Sequence, residues 1–343
     1  MSGASDFTAS AGPSHSRRFT EFVLRLREAG VLVFLVVLGT LFSALTATFL
    51  TVQNLTTVAS SAAILAIAAC AQAIVLLTRN LDVSVGSMMG FVAYLSADYA
   101  ARHPAITPLE LALIPLAIGV VLGTINGLLV AYGRVPALIA TLGTMSLYRG
   151  LDYMYAHGQD VTSNRLPRWM LSSVDARLAG VPVLVLLAAA IVAVVALFLQ
   201  YYPLGRRIYA VGSNPLASFF FGLRAERVVL LAYVLCGLLC GAAGILYAAR
   251  VGTVTVILAS GWEMSSLAAA VIGGVSVSGG SGTVIGAALG AVVLATIDNG
   301  LVLLDVPEFW RMFIQGCAIV AAVAADAVIA SGIHDAARAR RPR

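Results

Sequence analysis

The chain has 343 residues, of which 60% are hydrophobic and 11% charged, with a formal net charge of +5. A soluble domain carries about 25% charged residues, so this chain has too little polar surface to coat a globule in water, and its apolar runs reach the roughly 20 residues that a membrane-crossing helix needs. All 21 basic residues are arginine, which excludes a Walker-type phosphate loop or a Schiff base, since both need lysine; their scatter between apolar segments argues against nucleic acid as a partner.

Residues 1–28 read as a basic cytoplasmic tail, Ser- and Ala-rich and disordered at its start. The apolar run that follows is too long for a signal peptide and lacks a small-residue cleavage site, so it is expected to stay as an anchor. Residues 29–331 form the expected transmembrane domain, and 332–343 a basic cytoplasmic tail. Apolar runs predict ten membrane helices, at about 31–50, 58–78, 83–101, 109–132, 136–156, 181–200, 228–249, 263–277, 283–304 and 312–331. The fold class is therefore an all-α polytopic membrane protein. Arginines at 17, 18, 25 and 27 put the N-terminus in the cytoplasm, and ten spans return the C-terminus there. With that orientation 14 arginines fall on the cytoplasmic side and 7 outside, the bias expected of a membrane protein.

Polar groups at membrane depth are the functional candidates. In Arg79–Ser87, Asp82 and Ser84 open the third span. Asp82 has two readings: a cap on the turn between spans 2 and 3, favoured by the helix dipole, or a polar point on a solute path. Asn126 and Asp298, near the ends of spans 4 and 9, join them as path candidates. Cys70, Cys236, Cys240 and Cys317 all sit in apolar runs and read as small core residues. His15, His103, His157 and His334 are far apart in sequence, and no catalytic, cofactor-binding or metal-ligating constellation is evident.

The polar loop 203–227 holds PLGRRIYAVGSNPLASFFFGLRAER. Asn214 suits a helix N-cap, Pro215 the first turn and Gly222 the C′ position, so a short helix is predicted over Pro215–Phe221. The aromatics Phe219–Phe221 leave two readings open: a helix lying on the bilayer, or a knob that docks into a partner's groove.

Residues 272–290, IGGVSVSGGSGTVIGAALG, contain seven glycines. Flanked by apolar spans and lacking lysine, they read as two membrane segments joined by a tight cytoplasmic turn at Ser278–Gly282. Gly279, Gly280, Gly282, Gly286 and Gly290 then serve close helix packing. Asn126–Val130 (NGLLV) and Asn299–Leu303 (NGLVL) each close a glycine-spaced helix, which suggests an inverted repeat.

Four segments carry a family resemblance: RNLDVSVGSMMG, RVPALIATLGTMSLYRG, GRRIYAVGSNPLASFFFGL and AAVIGGVSVSGGSGTVIGAALGA. In this order they resemble the permease subunit of bacterial ATP-binding-cassette (ABC) sugar importers of the ribose/xylose/rhamnose branch, nearest to autoinducer-2 and rhamnose importer permeases. The resemblance implies a dimer with a second permease copy or a paralogue, cytoplasmic ABC ATPase subunits and an extracytoplasmic sugar-binding protein, all at the inner membrane. Hydrolysis of ATP would belong to the partner, with no enzyme activity and no cofactor here. It also implies that the helix after Asn214 couples to the ATPase, through Gly212, Asn214, Pro215, Ala217, Phe220, Gly222 and Arg224. This chain departs from the family in carrying PLASFFF where acidic residues, Ala and Arg usually follow the Asn. An ion-coupled secondary transporter using Asp82 and Asp298 is the alternative.

Overall fold

The computed structural model describes residues 15–317, together with 320, 321 and 324, and, of these, side chains from residue 29 onward other than that of residue 175. Twelve α-helices account for most of the described chain: α1 His15–Leu45, α2 Val52–Leu77, α3 Val85–Arg102, α4 Pro108–Ala131, α5 Ala137–Ala156, α6 Arg168–Asp175, α7 Val183–Tyr201, α8 Pro203–Ser213, α9 Pro215–Phe220, α10 Ala225–Val251, α11 Trp262–Ile272 and α12 Val284–Leu303. The protein is an all-α polytopic membrane protein. Among the described residues α2, α4, α7, α10 and α12 are long and apolar enough to cross a bilayer.

Helix α2 is apolar all round, and such a helix belongs in a core. Every residue from Ala62 to Leu77 is buried, with α7, α10, α11 and α12 packed around it. Large apolar side chains instead point outward from α4, α5 and α7, among them Leu113, Leu147 and Val194, as expected where lipid or another subunit covers the surface. Helices α4 and α10 cross at glycines. A Cβ at Gly119 or Gly123 would overlap the carbonyl of Gly237 or Tyr233, so the two backbones touch directly. The same device joins α11 to α12, where Gly286 and Gly290 lie against the carbonyls of Gly273 and Ala269.

Several expectations change. The segment from residue 15 to 28, expected to be disordered, is helical as the start of α1; Leu, Arg and Glu are strong helix formers. Residues 1–14 and the expected tail 332–343 lie outside the described residues. The eighth span ends at Ile272, short of 277, because Gly273 closes the helix and Gly274 takes a φ of 87°. Residues 308–317 are helical; most of the remaining tenth span lies outside the described residues. Loop 203–227 contains α8 as well as the predicted short helix. Pro203 starts α8 at a position where its missing N–H costs nothing, and Ile208 and Val211 bury its apolar side. Cys317 is exposed, whereas Cys70, Cys236 and Cys240 are core residues as expected.

Candidate functional site

The break between α2 and α3, Thr78–Ser84, organises the polar interior. Helix α2 ends with Arg79 in the left-handed region, φ 64°, at a position glycine usually fills. That conformation costs a side-chain-bearing residue about 1 kcal/mol or more, and here it aims the guanidinium at the end of α8. Arg79 Nε donates to the carbonyl of Gly212, and Nη2 donates to that of Ser213 at 2.9 Å. The last carbonyls of a helix lack intrahelical partners and carry partial negative charge, so a cation suits them.

The glycine-rich turn closes on the same point. The N–H of Gly280 donates to the Leu77 carbonyl at 3.0 Å, and Tyr209 Oη donates to the Gly282 carbonyl at 3.0 Å. A Cβ at Gly212, Gly279 or Gly280 would strike the Leu77 carbonyl, Arg79 or Ser213. The turn itself needs glycine, since Gly279, Gly280 and Gly282 have φ of 81°, 70° and 121°. Three segments far apart in sequence thus meet backbone to backbone. From this base α9 projects. Asn214 Oδ1 accepts from the N–H of Ala217 at 3.0 Å, Ser218 Oγ donates to the Ala210 carbonyl at 2.9 Å, and Gly222 closes the helix with φ 75°. Pro215 and Arg224 are exposed, and Phe219, Phe220 and Phe221 are 72%, 78% and 85% exposed.

A few residues past Arg79, the chain turns through a fully buried polar hub. Asp82 Oδ1 accepts from the N–H of Ser84 at 2.8 Å and from its Oγ at 2.6 Å. Asn126 Nδ2, on α4, donates to Asp82 Oδ2 at 3.2 Å and to Ser84 Oγ at 2.7 Å. Tyr148 Oη, on α5, lies 3.2 Å from Asn126 Oδ1 and 2.9 Å from the Leu122 carbonyl. Tyr233 Oη, on α10, donates to the Leu81 carbonyl at 3.0 Å, and Cys236 Sγ lies 3.8 Å from Asp82 Oδ2. Asp82, Ser84, Asn126, Tyr148 and Tyr233 have essentially no exposed surface. Both oxygens of the carboxylate are engaged, which a buried charge requires. The hub ties the α2–α3 break to three further helices.

Residues 54–323 match the model of the family described as branched-chain amino acid transport system, permease component. The chain belongs to this permease family. The autoinducer 2 import system permease protein LsrC of Escherichia coli (strain K12 / DH10B) is 38% identical to it over 311 residues, covering 89% of this chain and 88% of that protein. The proteins of the same name from Salmonella typhi and Shigella flexneri are each 37% identical, covering 89% of this chain and 87% and 88% of theirs. No solved structure matches the chain.

Of the residues expected to act together in this permease, Asp82, Ser84 and Asn126 do meet, and Gly212 and Asn214 stand with Gly279, Gly280 and Gly282. Asp298 is elsewhere. Its carboxylate is 53% exposed and pairs with Arg311 Nη1 at 3.0 Å. Asn299, beside it, exchanges two 2.9 Å amide hydrogen bonds with Asn54 and so fastens α12 to α2. Among the described residues no cluster of three or more His, Cys, Asp or Glu is placed to hold a metal ion.

Arg79, Tyr148, Tyr209 and Tyr233 escaped the sequence reading. Arg79 reads there as a topogenic charge. Tyr148 left a signal: Thr141, Thr144, Tyr148 and Asp152 recur at helical spacing and are all buried. Arg149, within the fifth predicted span, counts there only among the external arginines. In the structure it reaches past Gly90 to donate Nη1 to the carbonyls of Val256 and Leu258, at 2.8 and 3.1 Å.

Proposed function

We propose that this permease is the membrane subunit of an ATP-binding-cassette importer, forming the path for a sugar or sugar-like solute. Autoinducer-2, the solute named for its relatives, is the first candidate, with rhamnose and pentoses next. The observation that carries the coupling role is the junction at Arg79. Helix α9 and its C-cap expose Phe219, Phe220 and Phe221, while its base is bonded to the α2–α3 break and the glycine turn. A push on α9 by an ATPase subunit is therefore delivered to α2 and to the Asp82 hub, without new chemistry in this chain. Pro215, Ala217, Phe220 and Arg224 are the contacts proposed for the ATPase groove; Gly212, Asn214 and Gly222 shape the helix that carries them.

The proposed topology has ten spans and both termini in the cytoplasm, which places the Arg79 junction inside and Asp298 at the external mouth. An interrupted lead-in followed by a glycine-spaced helix occurs at α3–α4 and again at α11–α12, which supports an inverted repeat. Asp82, Ser84 and Asn126 form the polar hub beside the path, hinging it at membrane depth. The working assembly has two permeases, as copies or paralogues, with ATPase subunits below and an extracytoplasmic binding protein above.

Vesicles holding the permease with its ATPase and binding protein test this reading. Uptake of labelled autoinducer-2, rhamnose or ribose is expected only with the ATPase subunits and ATP enclosed in the vesicle and the binding protein outside. Uptake that persists without ATP and collapses with the proton or sodium gradient would overturn it in favour of an ion-coupled transporter.

A further inference from the structure

Asp152 lies one turn beyond Arg149 on α5. Its side chain has no exposed surface. Neither carboxylate oxygen has a hydrogen-bond partner among the described residues, and the nearest opposite charge, Arg149 Nη1, is 3.9 Å from Oδ2. Burying a polar group without partners is strongly unfavourable, and a carboxylate is the extreme case. The same fold satisfies Asp82 on both oxygens, so α5 carries an unmet demand that a structural role does not require. Arg149 is nearby but turned aside, its Nη1 held by the carbonyls of Val256 and Leu258.

The pair sits in the seam between α3 and α5, with a latch at each end. Beyond Asp152, Tyr155 Oη donates to Asp98 at 2.8 Å, and Arg102 Nε pairs with the same carboxylate at 2.9 Å. Before it, Tyr148 joins the Asn126 hub. Helix α5 packs on α3 and α4 along one stripe; its other sides, with Leu147, Leu151 and Met154, are exposed. Arg149 keeps 19% of its side chain exposed.

We propose that Arg149 and Asp152 are a solute-binding pair for a neutral polyhydroxylated molecule, engaged when α5 parts from α3. This rests on the importer reading. The importer reading supplies a sugar-like solute, and the pair's chemistry suits one. Asp152 only accepts and Arg149 only donates, so the pair wants a molecule that does both. A cation is repelled by Arg149 and an anion by Asp152. Adjacent hydroxyls donate to the carboxylate and accept from the guanidinium, meeting the demand that the closed seam leaves open.

The test compares Asp152→Leu and Asp152→Asn with the parent in two measurements. One is the thermal unfolding midpoint of the full-length permease in detergent. The other is uptake of labelled autoinducer-2, L-rhamnose and D-ribose per ATP hydrolysed, in vesicles holding the assembled transporter. Leu removes an unmet charge, so the midpoint is expected to rise while uptake per ATP falls about ten- to a hundredfold. A lower midpoint in Asp152→Leu means the carboxylate is structural and overturns the proposal, as does a raised midpoint with parental uptake. Should the Leu variant fail to assemble, Asp152→Asn keeps the shape, and parental uptake by it likewise overturns the pair. If the parent itself shows no ATP-dependent uptake of any of the three, the importer reading fails and the pair falls with it.

Discussion

Asp82 and Asp152 are the same residue type, both buried without exposed surface and both beside α3. Around Asp82, Ser84, Asn126 and Cys236 close on the carboxylate from the same loop and from α4 and α10. Among the described residues none hydrogen-bonds to Asp152, and Arg149, 3.9 Å from it, is bonded to backbone carbonyls 107 and 109 residues away in sequence. The difference teaches that burial alone does not identify a functional acid. A satisfied carboxylate holds one arrangement in place; an unsatisfied one stores a demand that another state of the molecule can meet.

The sharpest way to break the comparison is one substitution at both sites. Asp82→Leu strands the Ser84 N–H and hydroxyl, each worth about 1–3 kcal/mol when buried unpaired, and takes from the Asn126 amide one of its acceptors, leaving Ser84 Oγ. A loss of about 3 kcal/mol or more is expected, read as a collapse of monodisperse protein and a lowered unfolding midpoint, opposite in sign to Asp152→Leu. Equal signs would dissolve the distinction. Next is the glycine packing that holds the satisfied region together. Gly286→Ala places a methyl on the Gly273 carbonyl and is expected to cost about 1–3 kcal/mol, with Gly286→Leu abolishing assembly; an unchanged midpoint for the Ala variant would remove the close-packing role.

Arg79→Gln comes third. It removes charge-assisted bonds to the end of α8, worth about 1.5–3 kcal/mol before rescue by water. The midpoint should drop by a fraction of this, because the site is partly exposed, but uptake per ATP should fall about tenfold as α9 loses its grip on α2. Parental coupling in this variant would detach the junction from function. The smallest effect belongs to Asp298→Ala. Its pair with Arg311 is half exposed on the aspartate side, and such pairs contribute about 0–1 kcal/mol. A midpoint within a degree or two of the parent is expected, and a large drop would show that Asp298 belongs with the buried acids.

Much of the site was legible in the sequence where the signals are local. Asn214, Pro215 and Gly222 mark the ends of α9 because capping chemistry acts within four residues. Gly279, Gly280 and Gly282 announce a turn because only glycine takes those backbone angles cheaply. Asp82 and Ser84 were visible as a polar pair opening α3. Helix α8 was not, since its 11 residues mix Arg206 and Arg207 with Ile208 and Val211, and an amphipathic helix among arginines looks like any charged loop. Arg79 hid behind its charge, which serves topology in the count of basic residues whatever else its side chain does.

Local hydropathy, caps and glycines by themselves determined that this is an all-helical membrane protein, roughly where its helices run, and that a short capped helix projects between α7 and α10. These properties depend on neighbours a few residues apart. Only the tertiary structure decided which polar groups meet. Asn126 finds Asp82 across 44 positions and Arg79 finds Gly212 across 133, because helices distant in the chain are brought together by glycine faces and the apolar α2. The same packing left Asp152 without a hydrogen-bond partner among the described residues, and no spacing in the sequence distinguishes that acid from one that is satisfied.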